Sequence, residues 1–223
     1  MSLSESDCAV RGALTRAIAA LGYAPENDQL ARELGLPLSE LEDSLGRLHD
    51  AHALLLHPHA CRPWVVHPFA LSPGACWVDT GTRGYWANCL YCGFGIAAAL
   101  QTNAVISTRL GGESETVRYA IANGRPTPGT DVFHLSTPVA QWWDNVIHAC
   151  ASFQPFRAER DIDDWCSRHA FPRGATLSIP ALWDFARDWY GDYMHDPWHK
   201  RSPDDARQLF ARHGLTSPFW TIS

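Results

Sequence analysis

The sequence predicts an α+β protein, a helical N-terminal module over residues 1–70 followed by a mixed α+β core domain over residues 71–223. Three observations carry that expectation. Apolar residues recur at helical spacing in three short stretches before residue 50, β-branched runs bounded by glycine and proline follow, and amphipathic helical patterns return after residue 159. A hydrophobic content of 46% over 223 residues is ample for a packed core.

Val10 to Leu21 places Leu14, Ile18 and Leu21 on one helical stripe and stops at Gly22, a residue suited to the position just past a helix end. Asn27 to Leu34 reads as a second helix closed by Gly35. Ser39-Glu40-Leu41-Glu42 has the form of a capping box and starts a third helix through Leu45 and Leu48. Ala53–Leu56 and Trp64–Val66 read as two strands around a His/Pro-rich turn. Three helices followed by a hairpin make this module winged-helix-like. His67-Pro68-Phe69 and Ser72-Pro73-Gly74 then read as a linker. In the core, strands are expected at Cys76–Val78, Ala104–Thr108, Glu115–Ile121 and Val132–Leu135, with a turn at Gly124–Gly129. Val146 to Phe153 is a further apolar, strand-like run. Helices are expected over Glu159–His169, Pro180–Tyr190 and Pro203–His213.

Charge narrows the function. Residues 1–70 carry five arginines and no lysine against nine acidic residues, and the third helix sets Glu40, Glu42, Asp43 and Asp50 against Arg47 alone. Phosphate repulsion opposes docking that helix in a groove, so no nucleic-acid partner is expected despite the winged-helix layout. The net charge of −6 also argues against an anionic membrane surface. No basic-then-apolar leader and no apolar run of about 20 residues is present, so a cytoplasmic protein is expected. Seven cysteines, an odd number, point to free thiols rather than a disulfide framework.

The densest chemistry lies in Gly84–Leu100. Asn88 is a candidate N-cap, which would put Cys89 in the first turn, where the helix dipole favours a thiolate. Cys92, three residues on, shares that helical face, so both sulfurs can aim at one soft ion or electrophile. Taken alone, a C-x2-C pair serves zinc sites, dithiol redox sites and soft-metal sites alike. Cys166 and His169, at C-x2-H spacing, offer the two further ligands a closed zinc site needs. Cys150 by itself is a core cysteine by its apolar neighbours, and the eleven histidines form no i, i+4 pair on a convincing helix.

The run Trp86-Ala87-Asn88-Cys89-Leu90-Tyr91-Cys92-Gly93-Phe94-Gly95-Ile96 resembles the catalytic helix of the organomercurial (alkylmercury) lyases, in which a cysteine is followed by two intervening residues, then an aspartate and an apolar tail. Val65–Phe69 continues the likeness. Trp142-Trp143-Asp144-Asn145-Val146-Ile147-His148-Ala149-Cys150 is similar to the segment bearing that family's second catalytic cysteine, and Leu182–Tyr190 and Gly214–Trp220 extend the resemblance along most of the chain. The resemblance implies a site of Cys89, Cys92 and Cys150, catalytic and metal-binding at once. Cys89 and Cys150 would be the thiolate pair that grips the mercury of R–Hg⁺ while an acid protonates the carbon, and Cys92 stands where the family has its aspartate. Asp79 and Asp144 are candidates to supply the missing carboxylate. No organic cofactor is implied. The implied partners are a small-molecule substrate and cellular thiols that carry off the product metal, mercury being both substrate and product. Two alternatives remain open: a non-catalytic three-thiolate binder of Cu, Zn or Hg, and a family enzyme acting on another small molecule.

Overall fold

The structure, a computed structural model, describes residues 3–222. Three helices open the chain: α1 (Glu5–Leu21), α2 (Asn27–Leu34) and α3 (Leu38–Asp50). Ser4 and Asp7 form a reciprocal capping box at the start of α1, and Gly22 ends it in the left-handed conformation at φ 85°. Asp7 does a second job: its buried carboxylate accepts from Ser44 Oγ at 2.7 Å and from Arg47 Nη2 at 2.9 Å, pinning α1 to α3. The expected cap at Ser39 does not form. Pro37 occupies the N-cap of α3, its fixed φ already suited to chain entry, and no side chain caps the helix.

Strands β1 (Leu55–Leu56), β2 (Pro63–Val66), β3 (Phe69–Ala70), β4 (Cys76–Asp79), β5 (Gly84–Ala87), β6 (Ala104–Arg109), β7 (Thr116–Ala122) and β8 (Arg125–Pro126) make one antiparallel sheet in the order β1-β2-β3-β5-β4-β6-β7-β8. Phe69, expected in the linker, therefore belongs to β3 together with Ala70. Val65 pairs with Ala70, and Ala70 with Trp86, so the sheet runs without interruption from the N-terminal hairpin into the strands of the core. A linker reading weighted the prolines, but Phe69 and Ala70 lie between them and are both buried.

The helix α4 (Leu90–Ala99) crosses this sheet, and every one of its ten residues is buried. A helix apolar all round must be covered on all sides. Here β4, β5 and β6 lie beneath it and α7 (Ile179–Tyr190) above. Glycines permit the close approach: a Cβ at Gly95 would overlap the Tyr190 ring and sit 2.9 Å from Pro68 Cβ.

A second antiparallel sheet, β10-β9-β11, is built from β9 (Val132–Leu135), β10 (Gln154–Phe156) and β11 (Ala175–Ser178). β10 and β11 lack a period-2 signature long enough to read from sequence, and β5 was hidden inside the glycine-aromatic lead-in to α4. The run over 146–153 is corrected as well: Val146–Ala151 is a short helix, α5, whose N-cap Asn145 accepts from the His148 amide at 3.0 Å. An apolar stretch of that length is ambiguous by periodicity, and the cap decides it. α6 (Glu159–His169) and α8 (Pro203–Arg212) fall where expected.

Candidate functional site

The structure brings Cys89, Cys92 and Cys150 together and adds a residue that sequence reasoning had placed in a linker, His67. Asn88 is not the cap of α4. Cys89 itself takes the N-cap position in an extended conformation, φ −153° and ψ 173°, and the first helical hydrogen bond runs from the Gly93 amide to its carbonyl. Cys92 is consequently in the first turn, with its sulfur 3.5 Å from that of Cys89. Cys150 enters from the last turn of α5. His67 comes from the turn between β2 and β3, where its bond to Pro68 is cis. One ligand atom from each of His67, Cys92 and Cys150 lies within 4.8 Å of the others.

All three cysteines are buried, none more than 5% exposed. Burial alone would keep each as a thiol, yet Cys89 is held well below the ordinary thiol range. The Cys150 and Cys92 side chains and the Cys92 amide favour its charged form and outweigh desolvation. Cys92 and Cys150 shift the other way. Cys92 is raised by its hydrogen-bonding with Cys150 and with Cys89, and Cys150 chiefly by its hydrogen bond with Cys89, with desolvation adding in both cases. Within the cluster, then, Cys89 is shifted toward its thiolate and Cys92 and Cys150 toward their thiols. Desolvation pushes His67 down to about 4, only partly opposed by Cys89, so its imidazole is neutral and available as a soft nitrogen ligand at neutral pH.

Cys92 and Cys150 form part of the wall of a cavity of about 390 Å³. Aromatic side chains, among them Trp142, Trp143, Phe153 and Trp189, supply much of the rest. The remaining expected residues lie elsewhere. Cys166 is in a separate small apolar cluster, 3.9 Å from His134 Nε2, and His169 faces Glu113 at 3.4 Å, so the Cys166/His169 zinc pairing with Cys89 and Cys92 does not form. Asp79 and Asp144 are exposed and neither lines the cavity; Asp79 accepts from the Gly81 amide instead. Cys76 is buried in β4 with its thiol pushed far up by desolvation, and among the described residues every cysteine is free.

Two buried sulfurs, those of Cys92 and Cys150, thus face an aromatic cavity on an α+β scaffold. Residues 69–191 match the alkylmercury lyase family, and the chain belongs to it. Among solved structures it is similar to the mercury-bound form of MerB2, at 15% identity and a TM-score of 0.68. The match covers 86% of this chain and 93% of that one, and identity this low shows the shared fold alone. Comparison with curated proteins finds no match. No helix among the described residues is long and apolar enough to cross a membrane.

Proposed function

We propose that this protein cleaves a carbon–mercury bond by protonolysis, using Cys89 as the thiolate that first binds mercury and the neighbouring thiols as second ligand and acid. One observation carries the reading: three buried sulfurs converge beside an aromatic cavity, with Cys89 shifted toward its thiolate and Cys92 and Cys150 toward their thiols.

That inequality answers the absence of the family's aspartate from the position of Cys92. The thiolate of Cys89 adds to R–Hg⁺, giving a neutral S–Hg–R adduct. As the sulfur of Cys150 bonds to mercury, electron density passes through the metal onto carbon and makes it basic. The departing Cys150 proton reaches that carbon, directly or by way of Cys92, and the Hg–C bond breaks. One thiolate and one thiol are consumed, R–H leaves, and mercury remains as a neutral dithiolate. Charge and protons balance without a carboxylate. Neutral His67 and the third sulfur lie within reach of the product metal, so an external thiol is needed to carry it off.

The same donor set supports a second reading, a soft-metal binder that holds its ion through Cys92, Cys150 and His67. Benzene release from a phenylmercury salt in excess thiol separates the two, with the unmodified protein compared against Cys92→Asp. Turnover by the unmodified protein establishes a lyase whose acid is a thiol. Silence from it with activity in Cys92→Asp means a scaffold diverted from this chemistry by one residue. Silence from both overturns the lyase reading.

A further inference from the structure

The cavity that Cys92 and Cys150 face has an unbalanced charge. Arg11, Lys200 and Arg201 line it, and among the described residues no aspartate or glutamate does. Arg201 is neutralised by Asp192 at 2.7 Å. Arg11 and Lys200 make no ion pair among the described residues.

Arg11 is 1% exposed. Its donors reach only neutral acceptors, with Nε on the Ala53 carbonyl at 2.9 Å, Nη2 on the His67 carbonyl at 2.7 Å and Nη1 on the Thr15 hydroxyl. Its guanidinium also lies over the Trp198 ring at 5.0 Å. An arginine has five N–H donors in a rigid fork, so two remain for a ligand. Burying a cation without an anion is expensive, and proteins ordinarily pair such a group. Lys200, at the exposed end of the same cavity, spends its ammonium on the Ala51 carbonyl. Two further cavity-lining residues carry buried donors without an acceptor, the Tyr91 hydroxyl and the Trp198 indole N–H. Tyr91 immediately precedes Cys92, and Trp198 stacks against Arg11. Donors are in excess, acceptors are missing, and the net local charge is positive.

We infer that the cavity selects a small organic substrate bearing a carboxylate, with Arg11 as its principal counter-charge and Lys200 as a second cation at the entrance. The aromatic walls contact the organic body while the anionic end pairs with Arg11. The inference names the organic part of the substrate and rests on this cavity being the substrate site.

Binding of mercury-free probes tests it independently of any turnover. Benzoate and benzamide share ring and shape and differ in charge, and each is titrated against the protein by calorimetry with phosphate as a third probe. A charge-assisted pair with a buried arginine predicts benzoate tighter by roughly ten- to a hundredfold. Lys200→Gln, at the exposed rim, should weaken benzoate severalfold and leave benzamide unchanged. Arg11→Gln should erase the difference between the two probes. If that variant fails to fold, the unmodified protein and Lys200→Gln decide the matter. Equal affinity for benzoate and benzamide overturns the inference, as does phosphate binding as tightly as benzoate. Failure of the lyase reading has a different signature, in which phenylmercury yields no benzene while the preference for benzoate persists.

Discussion

The packing of α7 across α4 sets both the stability of the core and the shape of the cavity wall, and Gly95→Ala tests it. Two opposing terms decide the sign. Alanine gains about 1 kcal/mol over glycine in a helix interior through its smaller backbone entropy loss. Against that, the new methyl would overlap the Tyr190 ring, with Cε2 only 2.7 Å away and Pro68 Cβ at 2.9 Å. Inserting one carbon into a well-packed core costs about 1–3 kcal/mol. The upper part of that range applies here, because Tyr190 is hemmed in by Tyr91 at 5.3 Å and Tyr193 at 4.9 Å between ring centroids and cannot swing aside freely. The net expectation is a loss of about 1–2 kcal/mol, which in a chain of this size lowers the melting temperature by about 2–8 °C. Thermal unfolding followed by circular dichroism measures it, and a urea titration with an unchanged slope checks that the folded state is otherwise intact. A melting temperature that rises, as helix propensity alone demands, would refute the close approach of α7 to α4. Because Tyr190 lines the cavity, the same variant should also alter small-molecule binding there.

Further outcomes follow from three particular groups. Asp7→Asn should destabilise by about 2–3 kcal/mol, below the full cost of breaking a buried pair because Arg47 remains 41% exposed and can rehydrate; a urea midpoint unchanged from the parent would contradict the docking of α1 on α3. Hydrogen bonds from Arg47, Ser44 and Ser4 outweigh desolvation and depress the Asp7 carboxyl below its unfolded value of about 3.9. Its contribution is therefore present above that pH and is lost as pH falls further, so the parent and Asp7→Asn should converge in stability on acidification. Cys89, held below the ordinary thiol range, should keep its thiolate ultraviolet absorbance to lower pH than an ordinary thiol, a signal lost in Cys89→Ser; titration of that signal in the ordinary thiol range would contradict the reading. Cys150→Ser should abolish tight Hg²⁺ binding while Cys166→Ser preserves it, since only the former faces Cys89 and Cys92; equal losses in a competition titration would place the metal elsewhere.

Much of the fold was legible because local rules and tertiary packing agree. α2, α6 and α8 carry their own stop signals or amphipathic stripes, and β6, β7 and β9 their β-branched or aromatic runs. Disagreement arose where short elements depend on neighbours. β3, β10 and β11 have four residues or fewer, and each is fixed by the strand beside it rather than by its own pattern. Helix α5 hinges on a single asparagine cap. At the site, Cys89 and Cys92 were evident from their spacing and Cys150 from resemblance, whereas His67 was concealed in a dipeptide that reads as a turn. A signal for Arg11 did exist: it sits three residues before Leu14 and seven before Ile18, on the stripe that faces the core, where a charge is anomalous.

By itself, then, the sequence determined the α+β class, the free thiols and the crowding of chemistry around residues 84–100, because each is written in spacing, composition or helix-end preference. Only the tertiary structure decided which sulfurs meet, that their proton affinities shift in opposite directions, and that a buried arginine lines the same cavity without a carboxylate to balance it. Those properties depend on burial and on distances between segments as far apart as Arg11, His67, Cys89 and Cys150. No local pattern encodes a separation through space, and a proton's affinity is set by what surrounds it.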